Sequence, residues 1–167
     1  PGGLWRPVRI EETGPVRIAA VYARNDLSDG RARVKVEFDG QPAEVQIDLL
    51  PENFDGPSYT KAVRGDSASV TAEIPMPDAK AWSPETPHLY RCRVTVKGSD
   101  TKDALFGCRS FTLGQAGMLQ LNGQPVFLRG TNIQGLNVYS YWGQTNELFD
   151  ALLLLKAGNF NAVRSCQ

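Results

Sequence analysis

Apolar and polar residues alternate one by one in several short runs, and this period constrains the fold more than any other feature of the chain. In the run 31–38 the apolar positions are Ala32, Val34, Val36 and Phe38, and every residue between them is charged. Successive side chains of a strand point to opposite faces, so this period predicts strands with one buried face. The pattern recurs at residues 43–49, 68–74 and 89–96.

The segments between these runs complete a mainly β prediction. Asp39-Gly40 connects the runs 31–38 and 43–49, and this short connection predicts that the two form a hairpin. Further strands are predicted at residues 16–23 and 103–112. Residues 51–66 contain Pro, Gly, Asn and Asp without a period, which predicts a loop. Six or seven short strands in roughly a hundred residues indicate an immunoglobulin-like β-sandwich.

The pattern changes after Gly117. Asn122-Gly123 between two apolar runs predicts a second hairpin. Thr145 is a suitable helix N-cap, Gly158-Asn159 is a suitable stop, and residues 160–164 follow with a strand-like pattern. A strand, a helix and a second strand of these lengths predict a βαβ unit and hence a parallel sheet. Two parallel strands are not stable alone, so we expect further strands in a longer parent protein.

Charge and cysteine content narrow the classes of partner. Lys plus Arg and Asp plus Glu are 18 each, which gives no electrostatic reason to expect nucleic acid or an anionic membrane. The leucine-rich run 151–155 is far shorter than the ~20 residues of a membrane span. Cys92, Cys108 and Cys166 lack CxxC spacing and predict neither a disulfide framework nor a zinc site; the first two are expected to be buried free thiols. The sequence predicts no metal and no cofactor, and it leaves the cellular compartment open.

Four phrases, taken together, resemble glycoside hydrolase family 2, the group of β-galactosidases, β-glucuronidases and β-mannosidases. Trp82–Tyr90 is similar to a stretch that enters a late sandwich strand in that family. Phe106–Arg109, followed by Leu121–Asn132, resembles the linker and the first barrel strand. Asn159–Ser165 is similar to the signature at the second barrel strand, and Leu4–Val8 resembles the end of a preceding jelly-roll domain.

The resemblance implies a three-part enzyme of which this chain is a fragment. Residues 1–12 would be the last jelly-roll strand and a linker, residues 13–113 the sandwich, and residues 114–167 the first βαβ unit of an incomplete (β/α)₈ barrel. The implied parent hydrolyses β-glycosides with retention, with carbohydrate as substrate and the jelly-roll and barrel domains as neighbours. Its two catalytic glutamates come from later barrel strands, so no catalytic residue is expected here and the chain alone should be inactive. A non-enzymatic adhesion or carbohydrate-binding module is the alternative, but it does not explain the βαβ unit.

The resemblance also implies candidate substrate-binding residues. Asn132 and Arg164 would end the first two barrel strands, the edge where pocket residues lie; a structural strand-end pair is the alternative. Tyr139, Tyr141 and Trp142 follow the first strand and would either stack on sugar rings at the pocket rim or pack the loop.

Other residues are expected to be structural or differ from the family pattern. Trp82 and Tyr90 are expected in the sandwich core, His88 at a surface or strand entry, and Arg129 is a possible partner for an acid inside the barrel. The family has histidines after both barrel strands, whereas this chain has Ile133–Asn137 and Gln167 there. The pocket is therefore not expected to be that of a typical galactosidase or glucuronidase.

Overall fold

The computed structural model describes residues 8, 10–40, 44–65, 68–134 and 145–166. The chain separates into two compact units, one formed by Glu12–Pro125 and the other by Val126–Gln167 together with Pro1–Glu11. The last jelly-roll strand expected within residues 1–12 falls largely outside the described residues, and Val8 and Ile10 lie in no strand and are exposed.

The first unit is built on two antiparallel sheets. Its sandwich strands are β1 (Arg17–Asp26), β2 (Arg31–Asp39), β3 (Glu44–Pro51), β4 (Tyr59–Arg64), β5 (Ser69–Pro75), β6 (Tyr90–Val96) and β7 (Asp100–Phe106). One sheet has the order β1-β2-β5 and the other the order β4-β3-β6-β7. This division of strands resembles the immunoglobulin arrangement, with the fourth strand beside the third instead of beside the fifth. The predicted β-sandwich is confirmed.

The core lies between the two sheets and is made by the alternation seen in the sequence. In β2 and β3 every second residue is fully buried, from Ala32 to Phe38 and from Val45 to Leu49. The other buried apolar residues are Val16, Ile18, Ala72, Ile74, Met76, Tyr90, Cys92, Val94, Val96, Phe106 and Cys108. All of them belong to one cluster within the first unit, so the sandwich has a complete core of its own.

The predicted hairpin between residues 31–38 and 43–49 is wrong, because β2 and β3 lie in different sheets. The sequence period shows which face of a strand is buried, but both sheets of a sandwich bury a face against the same core. The period therefore cannot assign a strand to one sheet or the other. The hairpin that forms instead joins β1 to β2, and Gly30 supplies the positive φ of 61° at its turn.

Two strand limits also differ from the prediction. The expected loop at residues 51–66 contains β4, an edge strand paired only with β3, and most of its side chains are exposed. A strand with little buried surface carries no alternating signal, which explains the error. The expected strand at 103–112 ends at Phe106, and Phe111 begins a strand of another sheet.

A bulge near the start of β1 is closed by two side chains from β7. Ala19 has no partner in β2, because the register shifts between Ile18 and Ala20. The Lys102 ammonium donates to the carbonyls of Ile18 and Ala19 at 3.1 and 2.8 Å. The Ile18 amide donates to Asp100 Oδ2 at 2.7 Å. These bonds satisfy backbone groups that the ladder leaves free and link the edges of the two sheets.

A small sheet completes the first unit. It has the order β10-β9-β8, with β8 (Phe111–Leu113), a 3₁₀ turn (Gln115–Gly117), β9 (Leu119–Leu121) and β10 (Gln124–Pro125). The predicted Asn122-Gly123 turn is confirmed, with φ values of 52° and 77° that suit a two-residue hairpin. This small sheet belongs to the same compact unit as the sandwich, whereas the sequence predicts that residues 114–125 belong to the barrel domain. The domain limits stay a prediction.

The second unit is a parallel β-α-β arrangement, as predicted. It contains β11 (Gly130–Gln134), α1 (Thr145–Ala157) and β12 (Ala162–Cys166). The helix ends as expected, since Asn159 takes a φ of 64° and Phe160 donates its amide to the Leu155 carbonyl at 3.0 Å. No residue of the helix is buried within this unit. None of the helices in the described ranges has the length and apolar character needed to cross a membrane.

Candidate functional site

Asn132 and Arg164 are direct neighbours in the parallel pair of strands. The register joins Gly130 to Ala162, Asn132 to Arg164 and Gln134 to Cys166. Paired residues of adjacent strands present their side chains on the same face of a sheet. Both side chains are exposed, and both line one shallow depression of about 320 Å³. The structure thus brings the two predicted site residues together.

Their position within the strands differs from the prediction. Asn132 and Arg164 are the central residues of β11 and β12, not the last ones. The strands continue to Gln134 and Cys166 because these last residues pair with each other in the parallel register, and such pairing is not visible in the sequence of either strand alone. The aromatic residues Tyr139, Tyr141 and Trp142 lie outside the described residues, so their assignment to a pocket rim stays a prediction.

Arg129 bonds to the segment before the second strand, and its guanidinium has no acidic partner among the described residues. Its guanidinium donates to the Asn159 carbonyl at 2.7 Å and to the Asn159 side-chain oxygen at 3.0 Å. The Asn161 side chain accepts a hydrogen bond from the Arg129 backbone amide at 2.7 Å and donates one to the Phe127 carbonyl at 2.9 Å. The backbone amide of Asn161 donates to the Arg129 carbonyl at 3.1 Å. We call Arg129, Asn159 and Asn161, with the Phe127 carbonyl, the asparagine clamp.

The asparagine clamp joins the two segments immediately before β11 and β12. It therefore fixes the register in which Asn132 comes to lie beside Arg164. Sequence reasoning missed this role, although two asparagines between a helix stop and a strand are a visible signal for side-chain bonds to the backbone. The exposed Arg164 guanidinium carries planar donors suited to a carboxylate or a hydroxyl group.

In the sandwich, the segments Trp82–Tyr90 and Phe106–Arg109, which resemble the family, pack against each other. Tyr90 and Phe106 are buried and stack with ring centroids 5.7 Å apart. A Cβ on Gly107 would lie 2.8 Å from the Trp82 ring, so only glycine leaves room for this side chain. The Arg109 guanidinium lies 4.9 Å from the centroid of the same ring. Tyr90 is thus a core residue as predicted, whereas Trp82 is half-buried beneath Arg109.

The two buried cysteines are unreactive because of their buried surroundings. Cys92 and Cys108 are free and fully buried, which confirms the prediction for these two. Burial raises the pKa of each thiol to about 12. The thiolate is the reactive form, so neither residue suits nucleophilic chemistry at neutral pH.

Two acidic residues of the sandwich, Asp103 and Glu52, form ion pairs with arginines. Hydrogen bonds from Arg93 and Arg91 lower the pKa of Asp103, although partial burial opposes this shift. A hydrogen bond from Arg91 likewise lowers the pKa of Glu52. A general acid needs a raised pKa, so these shifts run in the wrong direction for that role. Across the part of the chain that the structure describes, no three His, Cys, Asp or Glu residues are grouped as metal ligands would be.

Comparisons with known proteins point to one enzyme family. The family model described as "Glycosyl hydrolases family 2" matches residues 16–109. A β-galactosidase of Leuconostoc mesenteroides is 29% identical over 156 residues, covering 83% of this chain and 15% of the relative. A β-galactosidase of Aeromonas hydrophila is 36% identical over 110 residues, covering 62% of this chain and 10% of the relative.

Solved structures of the same kind share the fold. A β-glucuronidase of Parabacteroides merdae superposes with a TM-score of 0.56 at 23% identity, covering 72% of this chain and 17% of that one. A β-glucuronidase of Ruminococcus gnavus does so with a TM-score of 0.57 at 18% identity, covering 72% of this chain and 19% of that one. The chain therefore spans less than a fifth of the length of each of these proteins.

Proposed function

Since this chain belongs to glycosyl hydrolase family 2, we propose that it is part of an enzyme that hydrolyses the O-glycosidic bonds of β-glycosides with retention. The observation that carries this proposal is the match over the sandwich together with a parallel β-α-β unit later in the same chain. A sandwich module for adhesion or carbohydrate binding would need no such unit, and no observation favours it.

In this proposal β11, α1 and β12 begin the (β/α)₈ barrel of the catalytic domain. Helices of such a barrel bury one side against the strands and against neighbouring helices. The helix α1 supports this assignment, because Phe149 and Leu154 are 61% and 74% exposed in the described unit. A short helix with apolar residues this exposed is stabilised when more of the barrel covers it.

Asn132 and Arg164 contribute to the floor of the substrate pocket in the longer protein. Their shared face and exposed side chains support this role. Arg164 would orient a carboxylate or a sugar hydroxyl through its planar donors. Tyr139, Tyr141 and Trp142 would form an aromatic rim against the apolar faces of sugar rings. The jelly-roll and remaining barrel domains of the same protein are the neighbours we propose; nucleic acid and membranes are not among its partners.

The catalytic carboxylates lie elsewhere in the longer protein. Retention requires two carboxyl groups about 5 Å apart, one as nucleophile and one as acid and base. Among the described residues, Glu52 and Asp103 come together only through Arg91, and both have lowered pKa values. The relatives suggest β-galactosides as first substrates to assay and β-glucuronides as second.

The proposal is tested with the full-length protein and this chain side by side. Aryl β-galactosides and β-glucuronides are supplied to both, and the first anomer released is followed by proton NMR. We expect the full-length protein to release the β-anomer first and the 167-residue chain to show no turnover. In the full-length protein, Arg164→Ala should lower kcat/KM by about 100-fold or more, while Lys156→Ala on the adjacent helix serves as control. Release of the α-anomer, or wild-type activity in the Arg164 variant, would contradict the proposal.

A further inference from the structure

Arg24 and Arg109 differ from most arginines of the sandwich in having no acidic partner. Ion pairs with Asp or Glu are formed by Arg17, Arg31, Arg33, Arg91 and Arg93. Arg24 and Arg109 are exposed, and neither forms a hydrogen bond or an ion pair through its guanidinium with any described residue. Arg64 is also without an ion pair, but it lies opposite Glu44 in the β3–β4 register.

The fold places these two guanidinium groups on the same surface. Asn25 and Cys108 are joined by an isolated parallel bridge, with Arg24 directly before the one and Arg109 directly after the other. Both arginines line a depression of about 410 Å³. The other lining residues are Ala23, Asn25, Leu89, Leu105, Phe106 and Gly107. None of them is acidic, and the Asp26 carboxylate nearby is engaged by the amide and the hydroxyl of Ser28.

Arg109 is held in place before any ligand arrives. Its guanidinium packs over the Trp82 ring, and the Trp82 carbonyl accepts a bond from the Asn122 side chain at 2.9 Å. Stacking occupies one face of a guanidinium and leaves the N–H groups in its plane free to donate. Less rotamer entropy is lost when such a side chain binds, which favours binding.

The carboxylates across the strand from Arg24 are engaged by another arginine. Arg33 lies directly opposite Arg24 in the β1–β2 register and pairs with Asp29 and Glu73. Neither carboxylate therefore pairs with Arg24, and an anion bound beside Arg24 and Arg109 would offset their charge.

We propose that Arg24 and Arg109 form a binding site for a carboxylate group. Two planar guanidinium groups match the two oxygens of a carboxylate, and Leu89 and Leu105 line the same depression and offer apolar contacts to the carbon atoms that carry it. The carboxylate comes either from an aspartate or glutamate elsewhere in the longer protein or from a free carboxylic acid. The site rests on the sandwich alone and does not depend on the hydrolase assignment.

The test is an NMR titration of the 167-residue chain, with the arginine Nε–Hε signals as readout. The probes are the capped peptide acetyl-Gly-Glu-Gly-amide, sodium acetate, and sodium chloride at equal ionic strength. We expect saturable shifts of the Arg24 and Arg109 signals with both carboxylates and not with chloride. Tighter binding of the peptide by about tenfold would identify a protein side chain as the source, and equal affinity a free carboxylate.

Variants make the result specific to the two arginines. In the Arg24→Gln/Arg109→Gln chain, the backbone amide signals of Ala23, Asn25 and Cys108, followed as a second readout, should no longer shift with carboxylate. In Arg64→Gln, the matched control at another surface, they should shift as in the unchanged chain. Should the double variant fail to fold, Arg24→Gln alone changes only an exposed strand residue and should weaken binding by about tenfold. Shifts with chloride equal to those with acetate, or an unchanged response in Arg24→Gln, would overturn the proposal.

Discussion

At the scale of single residues, the phrase Phe106-Gly-Cys-Arg109 is explained by what each side chain contacts. Phe106 stacks on Tyr90 in the core, and Cys108 is buried beside Asn25 and Ala81. Gly107 is required because the Trp82 ring occupies the space of a side chain. Arg109 covers that ring from the solvent side. The phrase therefore maintains the end of the sandwich, and only its arginine is free for a further role.

Because the Trp82 side chain occupies the space next to Gly107, a single added methyl group should have a large effect on stability. Gly107→Ala places a Cβ 2.8 Å from the Trp82 ring and should lower the free energy of unfolding by about 1–3 kcal/mol. In a Trp82→Ala background the same substitution should cost less, because the contacts with the ring atoms are gone and only the contact with the Cβ of residue 82, at 2.9 Å, remains. Urea unfolding of the four chains measures both values. Equal costs in the two backgrounds would show that the contact does not exist.

The thiols predict a pH dependence. Since burial raises the pKa of Cys92 and Cys108 to about 12, folding holds both protons more tightly than the unfolded chain does. Their contribution to stability is present below the unfolded thiol pKa, at about 8.5, and is lost as pH rises from there towards 12. In a Cys166→Ser chain at pH 8, a disulfide reagent should find no reactive thiol until denaturant is added. Rapid reaction of either cysteine in the native chain would contradict the burial.

At this scale the sequence predicted which residues are buried, but it predicted few of the contacts between side chains. Tyr90, Cys92 and Cys108 were placed in the interior because their neighbours alternate with them. The stacking of Arg109 on Trp82 joins residues far apart in the chain, and no local pattern encodes it. The bonds from Arg129 to Asn159 were not predicted either, and an acid partner for Arg129 inside the barrel stays a prediction.

At the scale of elements, the sequence predicted the kinds of strand and helix better than their partners. The period of two indicated the strands with a buried face, and the stop signal at Asn159 marked the end of α1. The predicted pairing of β2 with β3 was wrong, because strands of the two opposing sheets bury their apolar faces in the same core. The edge strand β4 was missed, because exposed strands bury too little to show a period.

The asparagine clamp predicts a local effect on the parallel strands. Asn161→Ala removes the bonds to the Arg129 amide and the Phe127 carbonyl. Each bond contributes about 1 kcal/mol, so amide exchange in residues 130–134 and 162–166 should accelerate by about tenfold or more. Asn161→Asp keeps the acceptor and should show a smaller effect. The Lys156→Ala control should leave exchange unchanged, and an unchanged rate in Asn161→Ala would mean that the clamp does not hold these strands.

The link between β7 and the bulge in β1 predicts a second effect. Lys102→Met removes two hydrogen bonds to the carbonyls of Ile18 and Ala19 while keeping much of the side-chain volume. Half-buried carbonyls left without a donor should lower the free energy of unfolding by about 1–3 kcal/mol. Lys97→Met, at an exposed position, is the matched control and should change it by less than about 0.5 kcal/mol. Thermal unfolding compares the two, and equal midpoints would contradict the role of Lys102.

At the scale of the whole molecule, the chain combines a sandwich with a complete core and a β-α-β unit whose helix buries nothing. The sandwich should therefore fold without the second unit. A chain ending at Pro125 should keep its unfolding midpoint, whereas one ending at Leu113 loses the Asn122 bonds to Trp82 and Ser110 and should be less stable by about 1–3 kcal/mol. Equal stability of the two truncated chains would place the end of the folded sandwich at Leu113.

We propose that this chain is part of a β-glycoside hydrolase whose catalytic carboxylates lie in the rest of the longer protein. Hydrolysis of aryl β-galactosides and β-glucuronides is measured for the purified 167-residue chain and for the full-length protein at equal molar concentration. We expect turnover with retention by the full-length protein and none by the chain. Turnover by the chain alone, or a full-length protein without activity towards any β-glycoside, would contradict it.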